Sequence, residues 1–363
     1  LTKFATIFRD FESVHLTKDV GMIPMTMTKI TGSKSSLFYW SRSNILENNN
    51  YSELIDLRPV KARNRASFIV KVIYSIFFER FTLVNLYHIK YETIIFSLIL
   101  KALGVNVYLK MDMNYSGVEL LRERFKKNLF YRYLVELVIK SSNFISIELE
   151  DMYPKLKEVS LYFEKVHVMP NSILKDTVPC CPIEFEQRCD YFLVSGRIGS
   201  YEKNHELILA SLKKIPDLKK WKFVFAGPVA SEFMHLYEES GLGDRIIFLG
   251  QLEREELFQW YARSKVFVLT SRWEGFSLAL LEAAYMGCYV IATDVGGVKE
   301  VTKNGLYGTI IAQDNILDLS LAIEDIINRT NDEPRIHFKE RFRYLNDNFD
   351  LEKRLEKIIF LSE

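Results

Sequence analysis

Glu274 and Glu282 stand at either end of a strand-to-helix junction in the run Ser271-Arg272-Trp273-Glu274-Gly275-Phe276-Ser277-Leu278-Ala279-Leu280-Leu281-Glu282-Ala283. A strand ends, a glycine follows an acid, and a helix begins. A helix start presents backbone N–H groups without helical partners and the positive end of the helix dipole, which together suit a phosphate. Glu274 just precedes that start, where the dipole alone would stabilise it by ~0.3–1 kcal/mol. Glu282 lies among Leu280, Leu281, Ala283 and Ala284. A carboxylate in such company is costly unless a donor reaches it. The cis-diol of a ribose would serve, and so would a structural salt bridge.

The second signal is Gly196-Arg197 at the end of an apolar run, with Lys203 a short turn later. Arginine offers a fork of donors and lysine a point charge, so the two can neutralise a diphosphate. A departing nucleoside diphosphate is the kind of developing charge that fixed cations stabilise. The plainer alternative is surface pairing of Arg197 and Lys203 with Glu202 or Glu206.

The elements that must position these residues alternate in type. Short apolar β runs are expected at 191–195, 221–226, 245–249, 265–270 and 289–293, with helices at about 203–215 and 276–286. Strands alternating with helices imply a parallel sheet covered on both faces, with ligands at the carboxyl ends of its strands. The glycines and most of the notable charges fall at those ends. The first half repeats the rhythm more weakly, with strands expected at 14–17, 83–87, 105–109, 144–147 and 166–169. There, Asp19-Val20-Gly21 reads as a loop before a helix near Pro24. Pro179 and Pro182 mark a linker at about 170–190.

Together these residues resemble the GT-B glycosyltransferases, specifically the retaining family 4 group, over most of residues 166–312. The family's Gly-Arg followed by Lys stands as Gly196-Arg197 and Lys203, and its pair of glutamates as Glu274 and Glu282. Its Ala-Gly strand end stands as Ala226-Gly227, and its turn beside the base as Phe248-Leu249-Gly250-Gln251-Leu252. Gly296-Gly297-Val298-Lys299-Glu300 and Pro170-Asn171 complete the ordered set.

The resemblance implies an α/β fold, GT-B, of two Rossmann-like doubly wound parallel-sheet domains facing a cleft. Residues 1–170 would bind the acceptor and 171–339 the nucleotide sugar, with a helix at about 340–363 packing back on the first domain. Arg197 and Lys203 would hold the donor diphosphate, with Gly196 at their turn. Phe276, Ser277 and Leu278 would offer backbone amides to the phosphates. Glu282 would bind ribose, Glu274 the hydroxyls of the donor sugar, and Gly250, Gln251 and Leu252 would lie beside the nucleobase. Gly21 would let the chain approach donor and acceptor. Many members carry a histidine at a first-domain strand end near the donor sugar. Here that segment reads Lys110-Met111-Asp112-Met113, so Asp112 or Lys110 would substitute.

The implied reaction is retaining transfer from a UDP- or GDP-sugar to a glycan or lipid-linked acceptor in bacterial surface polysaccharide or glycolipid synthesis. With no Asp-x-Asp motif in the chain, the two cations would replace a metal, and no cofactor is expected. The rival readings are a sugar-nucleotide epimerase and a non-catalytic binding partner on the same fold.

Composition narrows the field. The chain has 363 residues, 48% hydrophobic and 26% charged, ordinary for a globular protein and long enough for two domains. Its longest mainly apolar uncharged stretch, 283–293, is far short of a membrane span. The opening residues do not read as a signal peptide, and Cys180, Cys181, Cys189 and Cys288 read as reduced cytosolic thiols. The six histidines show no ligand spacing; His205, two residues after Lys203, is the one near the site. Residues 1–180 hold 25 Lys/Arg against 18 Asp/Glu, and residues 181–363 hold 23 against 29. Basic residues cluster with apolar ones at Arg58, Lys61, Arg63, Arg65 and Lys71, and again at Arg122, Arg124, Lys126, Lys127 and Arg132. Such stretches fit either solvated helix faces or an anionic membrane surface, with the enzyme cytoplasmic and peripheral on the inner face of the membrane. Near-neutral total charge and the lack of a binding motif argue against nucleic acid.

Overall fold

Burial decides where each strand lies. In the computed structural model, which describes residues 2–41, 51, 53–113, 115–328 and 337–362, the apolar runs form two parallel sheets in two units. One unit is Leu1–Leu174 with Leu351–Glu363, and the other is Lys175–Asp350.

The first unit holds β1 (Phe4–Ile7), β2 (Ser35–Trp40), β3 (Ile55–Val60), β4 (Leu83–Tyr87), β5 (Asn106–Met111), β6 (Phe144–Ile147) and β7 (His167–Val168) in the order β3-β2-β1-β4-β5-β6-β7. The order reverses between β1 and β4, and the crevice outside the carboxyl ends at such a reversal is where open α/β sheets bind ligands. Crossovers are right-handed, so connections running in opposite directions put their helices on opposite faces. One face carries α1 (Asp19–Thr31). The other carries α2 (Arg65–Phe78), α3 (Tyr91–Ala102), and the pair α4 (Tyr115–Lys127) and α5 (Leu129–Ser141), with α3 packed between α2 and α5. A short helix, α6 (Met152–Val159), precedes β7.

The first-unit expectations need three corrections. Residues 14–17 are a 3-10 turn, Ser13–Thr17, and the first strand is Phe4–Ile7, all four residues buried. Asp19-Val20-Gly21 is no loop but the first turn of α1. A Cβ at Gly21 would lie 2.4 Å from the Leu16 carbonyl oxygen, so glycine lets the helix pack on the preceding turn. Sequence reading also missed β2 and β3. β3 is the sheet edge, where Asp56, Arg58 and Pro59 are tolerated.

The second unit holds β8 (Cys189–Ser195), β9 (Lys222–Ala226), β10 (Ile246–Gly250), β11 (Ser264–Leu269), β12 (Tyr289–Thr293) and β13 (Gly308–Ile311), ordered β10-β9-β8-β11-β12-β13. Its helices are α7 (Glu206–Leu212), α8 (Ser231–Ser240), α9 (Arg254–Arg263), α10 (Leu278–Tyr285), α11 (Val298–Thr302), α12 (Ile316–Asn328) and α13 (Phe338–Asn348). The order reverses between β8 and β11. The turn after β8 carries Gly196, Arg197 and Lys203, and the turn after β11 carries Glu274. Topology alone therefore sets the two sequence signals side by side.

The division falls after Leu174 rather than after residue 170. The tail also divides. α13 stays in the second unit, where buried Arg341 donates to the Gly287 carbonyl at 2.9 Å. Only the last helix, α14 (Leu351–Ser362), belongs to the first unit, packing on α1 through Leu351, Leu355 and Ile358.

Candidate functional site

The turn after β8 is held from several sides. Gly196 has φ +138°, and a Cβ on Gly227 at the end of β9 would lie 1.9 Å from the Gly196 carbonyl oxygen. The close approach of the two strand ends thus requires glycine. Buried His205 accepts the Gly199 N–H through Nδ1 at 3.0 Å. Burial and nearby Lys203 push its pKa down to about 3, so the ring is neutral. His205 is a strut of the turn. The helix expected from residue 203 starts only at Glu206, because 200–203 form that turn.

This turn delivers Lys203 to the loop after β11. Its Nζ donates to Glu274 Oε1 at 2.6 Å, and Ser271 Oγ donates to the same oxygen at 2.7 Å. The Lys203 and Glu274 side chains are only 18% and 14% exposed. The backbones are stitched as well: Thr270 Oγ1 donates to the Lys203 carbonyl at 2.9 Å, and the Arg272 N–H to the Glu202 carbonyl at 2.8 Å. Arg197 behaves differently. It is mostly exposed and pairs with Glu202, the surface pairing weighed from the sequence.

Past Glu274 the chain enters α10. Ser277 caps it, its Oγ accepting the Leu280 N–H at 3.4 Å and its carbonyl the Leu281 N–H at 3.2 Å. The N–H groups of Leu278 and Ala279 lie in the first turn, outside the helical ladder. A Cβ at Gly296 would fall 1.9 Å from the Gly275 carbonyl oxygen, so the Gly296-Gly297 turn supports this helix start by direct backbone packing.

Glu282, 8% exposed, has a partner that sequence reading missed. Arg254, in the first turn of α9, donates through Nη1 to Glu282 Oε1 at 2.7 Å. Burial pushes the Glu282 carboxyl up, and Arg254 works against that rise. The only hint in the sequence was a cation just past Gly250-Gln251-Leu252. That segment ends β10, its Gly250 carbonyl accepting the Gly227 N–H at 2.7 Å, while Gln251 is exposed.

In the first unit the strand ends converge on Lys110, which is 2% exposed. Its Nζ lies 2.6 Å from Asp112, 2.8 Å from Glu148 and 3.2 Å from Asp19, with Asn171 Oδ1 at 3.5 Å. Burial opposes its charge, but Asp112, Glu148 and Asp19 outweigh burial and hold its pKa well above the usual value. Burial, against the pull of Lys110 and with the help of Asp112 and Asp19, pushes Glu148 up to about 8. The three carboxylates are close enough to share a metal ion, with ligand atoms within 4.8 Å of one another, but the ammonium already sits among them. Lys110 is therefore the buried centre and Asp112 the partly exposed edge of the cluster.

The two basic stretches differ. Arg122 pairs with Glu119 and Glu158, and Lys126 and Lys127 both pair with Glu123, so that stretch of α4 is largely neutralised where it stands. Arg58 pairs with Asp56 and Glu79, and Arg65 with Glu92. Lys61, Arg63 and Arg124 make no ion pair among the described residues. Among those residues no helix is long and apolar enough to cross a membrane.

The comparisons with known proteins bear on this geometry. Residues 183–343 match the family described as glycosyl transferases group 1. That match lies within the second unit, Lys175–Asp350. The chain is 29% identical over 173 residues to a lipopolysaccharide core biosynthesis mannosyltransferase, LpcC, of Rhizobium leguminosarum, covering 45% of this chain and 47% of that one. It is 34% identical over 151 residues to LpsB of Rhizobium meliloti, described in the same words, covering 39% and 41%. The match thus spans less than half the length of these relatives. Similar solved structures extend over both units. HepE of Anabaena in complex with UDP has a TM-score of 0.77 at 13% identity, covering 99% of each chain. Sucrose-phosphate synthase from Thermosynechococcus elongatus has 0.75 at 14%, covering 100% of each. At such identities the likeness concerns the fold, which is GT-B.

Two outcomes test the site's electrostatics. Arg254→Met, by leaving Glu282 buried and unpaired, is expected to cost roughly 3 kcal/mol at neutral pH in urea denaturation. Adding Glu282→Gln should recover most of that loss, and equal losses in the single and double variants would show that the two groups are not coupled. The second outcome follows from Glu148. A carboxyl whose pKa is raised on folding favours the folded state below its ordinary pKa, and that contribution is lost as pH rises through the folded value. The stability of the native protein relative to Glu148→Gln should therefore fall as pH rises from the ordinary carboxylate range through about 8. A pH-independent difference would contradict the assignment.

Proposed function

We propose that the protein is a retaining glycosyltransferase that moves a sugar from a UDP- or GDP-sugar to a glycan or lipid-linked acceptor. The reading extends to bacterial surface polysaccharide or glycolipid synthesis, with the enzyme peripheral on the membrane where such an acceptor is met. The observation that carries it is the Lys203–Glu274 contact at the β8/β11 reversal, beside the free end of α10. A cation, a carboxylate and first-turn N–H groups meet at one sheet edge, the three chemistries that a sugar diphosphate needs.

Each residue then has a task. Lys203 and Arg197 neutralise the diphosphate. Arg197 is exposed and can leave Glu202 at little cost, since surface ion pairs contribute only ~0–1 kcal/mol. Lys203 is held in place by Glu274, so its charge is positioned before the donor arrives, which is the condition for effective electrostatic stabilisation of a leaving group. The N–H groups at the start of α10, with Phe276 and Ser277 shaping the turn, take the phosphate oxygens. Glu274 accepts from donor-sugar hydroxyls. Arg254 orients Glu282, which accepts from the ribose, and Gly250 to Leu252 lie along the base. Asp112, in the first unit, takes the part that the resemblance gives to a histidine near the donor sugar. Fixed cations serve the diphosphate, so no divalent metal is required.

The names of similar proteins agree with this reading: lipopolysaccharide core mannosyltransferases, an outer core galactosyltransferase, and structures holding UDP and UDP-glucose. The test is slow hydrolysis of UDP- and GDP-sugars, followed by NMR of the released sugar. The first product should keep the donor's anomeric configuration, at a rate unchanged by EDTA, and Lys203→Met should lower that rate by about 10²–10³-fold. Inverted product, dependence on added metal, or conversion of the sugar without release of nucleoside diphosphate would each contradict the proposal.

A further inference from the structure

The outer face of α2 breaks the usual pattern of a surface helix. Its inner stripe, Phe68, Ile69, Val72 and Ile76, is buried against the sheet as an amphipathic helix requires. The opposite side should then be polar. Instead Val70, Tyr74, Phe77 and Phe78 are 66%, 61%, 53% and 61% exposed. They are not scattered. The Tyr74 and Phe78 rings are 4.1 Å apart, and those of Phe77 and Phe78 are 5.5 Å apart. Val70 and Tyr74 also line an open groove between α2 and the end of β3, with Pro59, Val60, Lys61 and Lys71 on its walls. A contiguous apolar patch of this kind marks an interaction surface.

Charge indicates what covers it. Residues 57–78 contain five Lys or Arg and no Asp or Glu. Arg58 and Arg65 are paired with acids outside that stretch. Lys61, Arg63 and Lys71 make no ion pair among the described residues, and Lys71 Nζ donates instead to the Lys61 carbonyl at 2.7 Å. A second copy of this chain would bring the same cations face to face across a two-fold interface, which repels. The core of a protein interface is depleted in lysine. Aromatic rings flanked by unneutralised lysine and arginine are instead the composition of a segment lying at an anionic membrane surface. The α4 stretch is instead largely neutralised, because Glu119 and Glu123 answer Arg122, Lys126 and Lys127 and leave only Arg124 without an ion pair among the described residues.

We propose that the outer face of α2 docks this protein on an anionic lipid bilayer, with Tyr74, Phe77 and Phe78 at the level of the headgroups and Lys61, Arg63 and Lys71 against lipid phosphates. The proposal deepens the membrane-linked reading above but rests on this surface alone. It gives the first unit a defined orientation: β3 and the β3–α2 turn face the lipid.

The test is co-sedimentation of the full chain with vesicles of phosphatidylglycerol and phosphatidylcholine, and with vesicles of phosphatidylcholine alone. The native protein should bind the anionic vesicles, bind the neutral ones far less, and release as salt is raised. Phe77→Ser/Phe78→Ser and Lys61→Gln/Lys71→Gln should each weaken partition by about tenfold or more. Leu317→Ser, at an exposed leucine of the second unit, should not. Nucleoside diphosphate should raise the melting temperature of all these variants as it does that of the native chain, which separates loss of docking from loss of fold. Failure of the native chain to bind anionic vesicles, variants that bind unchanged, or a lipid-free dimer dissolved by the same substitutions would overturn the proposal. Vesicle binding by a chain that takes up no nucleotide would support the surface while sinking the transferase reading.

Discussion

The second unit is organised around one ion pair across a sheet reversal. Lys203 comes from the turn after β8 and Glu274 from the turn after β11, and they meet at 2.6 Å with both side chains mostly withdrawn from water. The contact requires several other features of the molecule. The strands must be ordered so that β8 and β11 are neighbours. Gly196 and Gly227 must let two strand ends approach, and neutral His205 must brace the turn that delivers the lysine. Ser271 supplies the second hydrogen bond to the carboxylate, so the glutamate is fixed even when the ammonium is shared with another anion. The same loop then turns into α10, which places the helix dipole beside the cation. A mobile lysine would have to be ordered when the donor binds, whereas this one is ordered in advance.

The first unit uses the same elements to another end. Lys110 also sits at the carboxyl end of a parallel sheet among acids, but three carboxylates surround it and it is almost wholly buried. Its charge is consumed in the structure. What reaches the surface is Asp112, a carboxylate oriented by that ammonium. One sheet edge therefore offers a cation held by a single carboxylate and the other an acid. The difference lies in the number of neighbours: Lys203 answers one carboxylate, and Lys110 answers three.

Much of this was legible in the sequence, and the limits have physical causes. In the second unit β11 and β12 are continuous buried runs and β8, β9 and β10 end at glycines; Gly227 and Gly296 are fixed by close backbone approach and Gly196 by its positive φ, so spacing carried the information. Contacts between distant elements were less legible. Glu282 was recognised as a carboxylate needing a donor, but nothing local could show that Arg254 supplies it. Lys110 and Asp112 were singled out together, yet a one-dimensional reading cannot tell a buried lysine from a partly exposed acid two positions later, just past the strand end. Gly21 was misplaced because a glycine chosen for helix packing looks like a loop glycine. β3 was missed because an edge strand tolerates Asp56, Arg58 and Pro59, residues that would exclude it from the middle of a sheet. The basic residues of α4 could be counted but not discounted, since their neutralising glutamates depend on helix geometry.

The central claim is that Lys203, held by Glu274, is the fixed charge of a nucleoside diphosphate site. The most direct test is calorimetric titration of UDP and GDP onto the native protein, Lys203→Met and Glu274→Gln. A ligand at ~100 times its dissociation constant should stabilise the native fold by ~2.7 kcal/mol, so the same samples can be checked by melting. One of the two nucleotides should bind the native chain. Lys203→Met should lose that affinity, while Glu274→Gln, which frees the lysine but leaves its charge, should lose less. Equal affinity in the native protein and Lys203→Met would contradict the account.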